Sequence, residues 1–427
     1  MPRCSILALP VELLFEICKT LCRHCQHITR DGHCETDLEV EDQLALLSLS
    51  RTCKALRPTV QPFIYHRLHI LREMDLHFLV RTLSGRPDLG ESVFEVDVTH
   101  HTWKSGDALM SGQAAEAQVQ SLGVHSELRQ TSQDGALVLL LLQLTPNLAR
   151  ARFWLPCRTF FQTLTPSNLS LKMLTRLDFD GTHGYLLDTA APVLRLAPNL
   201  QVLHIHGCAE VTSDFLAGKI MNDLAPLCHL TELDLTASAL TVASMRHLLS
   251  TVGPMLAKIK IEPISPESSS PMELDVLRFD EVLAVLRPWS QTLRELSFCL
   301  YGIQVSRHLR GIHILREFRA LEILWTEAAF FPFYTSREAL TSTLPPSLCE
   351  LRLLGYSHLV PALQYLLVNF QAGNFPSLSK IEIDDQEYDS GSFIEQELEQ
   401  VGIGFAAAGV NFMVHPQPED TGEAENI

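Results

Sequence analysis

The chain has 427 residues, 50 of them Asp or Glu against 33 Lys or Arg, for a formal charge of −17. That balance disfavours phosphate backbones and anionic membrane surfaces, and no dense basic patch offsets it, so neither nucleic acid nor membrane is an expected partner. An apolar fraction of 46% is that of a globular chain with room for a large core or two to three domains, and 11 scattered cysteines, an odd count, read as reduced thiols rather than a disulfide framework. The first residues lack a basic region followed by a long apolar run, so no secretory signal is expected. The most apolar stretch, Ala136 to Leu144, is far shorter than the roughly 20 residues of a membrane-spanning helix. A cytoplasmic or nuclear location is expected.

In chain order, Leu9-Pro10 is the first helix signal, because proline suits a helix start where its missing N–H would be unpaired anyway. Leu13, Leu14, Ile17, Cys18 and Leu21 then recur at helical spacing, with Glu12 and Glu16 early and Lys19 and Arg23 late, as the helix dipole favours. A second helix is predicted from Asp42 through Leu44, Leu47 and Leu49. A third carries Cys53, Ala55 and Leu56 and stops at Pro58. Pro62-Phe63-Ile64-Tyr65 then leads to a short strand at Leu68-His69-Ile70.

An ordinary small helical bundle would fit each of these leucines. The order is more specific: Leu-Pro-x-Glu-Leu-Leu, then Ile and Leu, a leucine-rich helix, Ser50-x-x-Cys53-x-x-Leu56, and a closing Pro62-x-x-Tyr65. It resembles the F-box, in particular that of fungal F-box proteins. The resemblance implies a surface that docks on the Skp-type adaptor of a cullin–RING ubiquitin ligase, and it places Leu9, Pro10, Leu13, Leu14, Ile17, Leu44 and Leu47 on that surface.

One departure is the insertion at 22–41, with Cys22, Cys25 and Cys34 among His24, His27 and His33. Cys22-x-x-Cys25 has zinc-ligand spacing, and His27 or His33 with Cys34 could complete a set, but no standard finger spacing follows. A polar loop with reduced cysteines is the simpler reading, so no metal is expected. Insertions of this Leu-Cys-x-His-Cys type are familiar in fungal F-box proteins, and the resemblance stands.

From about residue 90 the chain repeats apolar-x-x-apolar-x-apolar. The motif occurs at Val93/Val96/Val98, Leu148/Ala151/Phe153, Leu174/Leu177/Phe179, Leu200/Leu203/Ile205, Leu230/Leu233/Leu235, Leu256/Ile259/Ile261, Leu293/Leu296/Phe298, Leu321/Leu324/Thr326, Leu348/Leu351/Leu353 and Leu378/Ile381/Ile383. From Leu148 onward the steps are 26, 26, 30, 26, 37, 28, 27 and 30 residues, in or near the leucine-rich-repeat range of about 20 to 29. The last two apolar positions lie two apart and so face one side of a strand. Helices are predicted at 190–196, 213–224, 242–249, 279–286 and 360–370, several ending before Pro146, Pro198, Pro346 or Pro376. Loops are predicted at 102–133 and 263–272, and a last strand at 410–414.

The expected fold class is α/β. A small N-terminal helical F-box at 1–75 precedes a leucine-rich-repeat solenoid at 76–415 with a parallel concave sheet, and 416–427 form an acidic disordered tail. Positions alternating with the core leucines face outward, where solenoids bind partners. Asp178, His204, His206, Asp234, Lys260, Trp325 and Arg352 are the candidates for contact with an unknown target protein.

Gly402-x-Gly404 with Gly409 has the wrong spacing and context for a dinucleotide loop, and no phosphate-binding loop, His-Glu-x-x-His or Gly-x-Ser-x-Gly is present. The reading is therefore not an enzyme and needs no cofactor. What the resemblance implies is a substrate-recognition subunit that meets cullin through the adaptor, with a non-catalytic repeat scaffold as the alternative.

Overall fold

In a computed structural model, each of the ten repeated motifs lies at a β-strand. The structure describes residues 6, 9–22, 24–26, 37–52, 54–70, 73–98, 133–154, 170–212, 215, 227–238, 240–263, 278–299, 312–331, 336–355, 359–384 and 393–415. The predicted loop at 102–133 (but for Gln133), most of the 213–224 helix, the 264–272 part of the second loop, the 416–427 tail and His27, His33 and Cys34 lie outside these residues.

The ten strands are β2 Glu95–Val98, β3 Arg150–Trp154, β4 Arg176–Leu186, β5 Val202–Glu210, β6 Glu232–Ser238, β7 Lys258–Pro263, β8 Glu295–Phe298, β9 Ile323–Glu327, β10 Glu350–Leu354 and β11 Lys380–Asp384. A short β1, Arg67–His69, precedes them, and β12, Asn411–His415, follows where a final strand is predicted. All are parallel and follow in chain order. Parallel neighbours need crossovers, and helices supply several of them. The fold is α/β, with twelve α-helices among the described residues.

Two compact units divide the chain: Met1–Tyr185 with Thr189–Leu203, and Leu186–Asp188 with His204–Ile427. In the first, α1 Val11–Leu21, α2 Asp37–Thr52 and α3 Arg57–Tyr65 surround a small core of Cys18, Cys22, Leu46, Leu56, Val60 and Phe63. Two predictions are corrected here. Helix α2 begins at Asp37, not Asp42. Pro58 opens α3 instead of ending a helix, because proline is tolerated in a first turn, and α3 continues through Pro62 to Tyr65. The same unit holds α4 Glu73–Gly85, α5 Pro87–Gly90, α6 Gln133–Leu144 and α7 Ala191–Leu196. In α6, Leu137 to Leu142 are all buried, which explains a stretch apolar on every side.

The second unit holds α8 Val242–Leu249, α9 Phe279–Leu286, α10 Ala339–Thr343, α11 Val360–Gln371 and α12 Phe393–Ala407. Thr241 caps α8 by accepting from the Ser244 N–H. Gly402 and Gly404 lie inside α12. A Cβ on Gly402 would meet the Phe412 ring at 2.8 Å, and one on Gly404 would meet Leu367 at 2.5 Å. Gly409, at φ +90, ends the helix. These glycines serve packing and helix termination.

One backbone device recurs where strands begin. The carbonyls of His66, Phe94, Ala149 and Thr175 in the first unit, and of Thr231, Ala257, Arg294, Glu322 and Cys349 in the second, each accept two successive N–H donors from the next strand. The motif's three positions are buried in every repeat, so within each unit each strand adds one layer to the core. Close approach on the helix side is tighter still. A Cβ on Gly253 would lie 2.4 Å from the Cys228 carbonyl oxygen, whereas one on Gly85 meets nothing within 4 Å. Gly253→Ala is expected to cost about 2 kcal/mol or more and Gly85→Ala to change stability by under about 1 kcal/mol, as read by urea midpoints.

Candidate functional site

Helix α1 packs on the small core, where the Phe15 ring also meets that of Phe63 at 5.6 Å. Cys18 is buried and Leu14 and Leu21 pack on the small core, which leaves another apolar set outside. Leu9 is 36% exposed, Val11 49%, Leu13 50% and Phe15 40%. Ile6 and, on α2, Leu44 are exposed as well. These six are half of the twelve exposed large apolar residues among the described residues, so apolar exposure is concentrated in the N-terminal helices. Such concentration marks an interaction surface more than chance does.

Pro10 is the residue before α1, and its carbonyl accepts from the Leu13 and Leu14 N–H groups at 3.1 and 3.2 Å. Of the predicted surface, Leu9, Pro10, Leu13 and Leu44 are exposed, while Leu14, Ile17 and Leu47 are half-buried. Leu14 therefore supports the face from beneath.

The second candidate surface is the outer face of the strands. In the second unit the register aligns Asp234, Lys260, Ser297, Trp325, Arg352, Glu382 and Met413 in one row across β6 to β12. The next row holds Glu232, Lys258, Glu295, Ile323, Glu350, Lys380 and Asn411. Both rows mix acidic and basic residues, many of which pair. Lys258 bridges Glu232 and Glu295 at 3.6 and 3.4 Å, Lys260 meets Glu262 at 3.0 Å, and His204 reaches Glu232 at 3.1 Å. Asp234 accepts from the Thr236 hydroxyl, and His206 sits half-buried on β5. In the first unit, Asp178 pairs with Arg176 at 3.1 Å.

The sharpest part of this face surrounds Trp325. The Arg352 guanidinium lies 5.6 Å from its ring centroid, a cation–π contact. The same guanidinium reaches Glu350 at 2.5 Å and Glu382 at 2.6 Å. Trp325 Nε1 is buried and has no hydrogen-bond partner among the described residues. Lys380 also holds Glu382, at 2.7 Å, with His415 at 3.7 Å. Burial pushes the Glu382 carboxyl up, but the Lys380 hydrogen bond and the charges of Arg352, Lys380 and His415 outweigh it and hold the group below its ordinary value of 4.5.

A carboxyl lowered in the folded state stabilises fully above its unfolded value and loses that contribution as pH falls through the folded value. Glu382→Gln is accordingly expected to lower unfolding free energy by about 1–2 kcal/mol at neutral pH. The gap from wild type should narrow as pH falls below the group's ordinary value of 4.5, as followed by denaturant unfolding across pH.

Pairing across strands is not visible in the sequence, because partners such as Trp325 and Arg352 lie on different repeats. Cys22 and Cys25 of the predicted loop come together with His24 and with His66, which no spacing rule had joined to them. Burial and the nearby Cys22 push the Cys25 thiol up to about 12, and burial with the nearby His24 lowers His66 to about 4.

On the helix side, a 260 Å³ hollow is lined by Arg246, Leu249, Ser250, Ala284, Val285, Pro288 and Trp289. This lining has no carboxylate, thiol or imidazole to make a catalytic set. No helix among the described residues is long and apolar enough to cross a membrane. No protein-family model matches the chain, and no curated protein matches it in sequence.

Proposed function

We propose that the protein is an F-box/leucine-rich-repeat adaptor, a substrate-recognition subunit of an SCF-type cullin–RING ubiquitin ligase. The observation that carries this reading is the exposure of Leu9 and Pro10 just before α1 and of Val11 and Leu13 in its first turn, while Leu14, Cys18 and Leu21 of the same helix pack on the small core. The Leu9 to Tyr65 order of residues supports it, as does the run of parallel strands that begins after them. The α1 face docks on the Skp-type adaptor through apolar anchors, and the strand face holds a target protein.

The chain does no bond chemistry of its own in this account. It raises the local concentration of target near the ubiquitin-charged partner. The face that selects the target is largely self-neutralised by its ladder of ion pairs, so net charge contributes little to selection. Trp325, half-buried on the outer face with the Arg352 guanidinium over its ring, is the anchor of the target site.

A second reading, a repeat scaffold that binds a partner without cullin, rests on the same strand face. Affinity capture under proteasome inhibition separates the two. The ligase reading expects wild type and Leu9→Ala/Pro10→Ala to capture the same target, with ubiquitinated target recovered from wild type alone. Equal recovery from both, or a target whose lifetime is unchanged on deletion of the protein, supports the scaffold.

A further inference from the structure

Three segments of the first unit converge on one point. Cys22 ends α1, and the Gln26 N–H donates to its carbonyl at 3.2 Å, folding Cys22 to Cys25 into a turn. His66 ends α3, and its carbonyl accepts the Phe94 and Glu95 N–H groups at 3.1 and 3.0 Å, which fixes its backbone at the start of the sheet. Cys22 Sγ and Cys25 Sγ lie 3.4 and 3.3 Å from His66 Nδ1, and Cys25 Sγ is 4.0 Å from His24 Nδ1. One ligand atom from each of the four residues lies within 4.8 Å of all the others.

Both imidazoles are held in place by rings. His24 stacks on Phe94 at 4.7 Å with 4° between planes, and meets His66 edge-on at 5.3 Å. Phe63 and Phe94 pack against His66 at 4.9 and 5.1 Å. Cys22 is 5% exposed, and the other three are half-buried.

We propose that Cys22, His24, Cys25 and His66 bind one zinc ion as a structural site. Tetrahedral zinc, with bonds of about 2.3 Å to sulfur and about 2.0–2.1 Å to nitrogen, sets ligand atoms about 3.3 to 3.8 Å apart. The measured separations bracket that range, and closing the longest of them requires a contraction of about 1 Å. Two thiolates with two imidazoles suit zinc and not the oxygen-seeking magnesium or calcium. Four protein ligands leave no open position, so the ion is structural. Binding forms two Zn–S and two Zn–N bonds and releases the two thiol protons to solvent.

The ion staples the end of α1 to the end of α3 and, through the His66 carbonyl, to β2. His27, His33 and Cys34 are not needed. The site does not depend on the ligase reading.

The test uses the full chain, purified under reducing conditions from zinc-supplemented cells. Elemental mass spectrometry is expected to find about one zinc per chain, and a cobalt-exchanged sample to show the visible absorption of a tetrahedral thiolate site. Cys22→Ser/Cys25→Ser and His66→Ala should each lower zinc content at least about tenfold, while Cys228→Ser keeps it. Alkylation of the wild type covers the case of a variant that fails to fold: Cys22 and Cys25 are protected until a chelator is added. Zinc below about a tenth per chain with both thiols freely alkylated, zinc unchanged in the double serine variant, or a metal-free Cys22–Cys25 disulfide would each overturn the proposal.

Discussion

Replacing Leu9 and Pro10 together by alanine is expected to weaken binding of the full chain to a Skp-type adaptor by about 30-fold or more. The magnitude follows from exposure. Both side chains are outside the small core that α1 builds with α2 and α3, so their loss removes contact with a partner and little internal packing. A central pair of apolar anchors in a docking face is typically worth about 2 kcal/mol or more. Helicity and melting temperature should stay close to wild type, and the loss should fall mainly on the dissociation rate. Leu14→Ala is the informative contrast. Leu14 packs inward, so this change should reduce stability together with binding. Titration calorimetry beside thermal unfolding reads both. Binding unchanged in the double variant would contradict the docking role of this face.

The second large effect lies in the second unit. Phe298→Ala is expected to cost about 3–5 kcal/mol of stability. Phe298 is fully buried, and its ring packs with Phe279 at 5.1 Å and Phe330 at 5.3 Å, with Phe279 and Phe330 4.9 Å apart. Those rings come from α9, β8 and the turn after β9, so one side chain joins successive layers. In a stacked array each layer is stabilised by its neighbours. The loss should accordingly open β8 and β9 first and leave β2 and β3 protected, as followed by hydrogen exchange with mass spectrometry. Uniform deprotection of all strands would contradict a layered core.

The strands were legible because each carries the same apolar spacing, and the helices at Val242–Leu249 and Phe279–Leu286 were legible to the residue. The N-terminal helices were less so. Pro58 carries a stop signal although a first turn also admits proline, and no sequence signal at Asp37 outweighs the one at Asp42.

The outward positions could be named from alternation alone. What they do to one another could not, because Arg352, Glu382 and Trp325 meet across strands separated by whole repeats. Likewise Cys22-x-x-Cys25 was visible as a pair, but His66 joins it through the packing of α1 on α3. A site assembled by tertiary contact leaves no spacing to find.

The most direct test of the adaptor account is reconstitution of the full chain with purified Skp-type adaptor and cullin, followed by size-exclusion chromatography with light scattering. The account predicts a ternary complex of equal stoichiometry that forms when the adaptor is present and is lost with Leu9→Ala/Pro10→Ala. Separate elution of wild-type chain and adaptor, or a complex with adaptor that never takes up cullin, would contradict it.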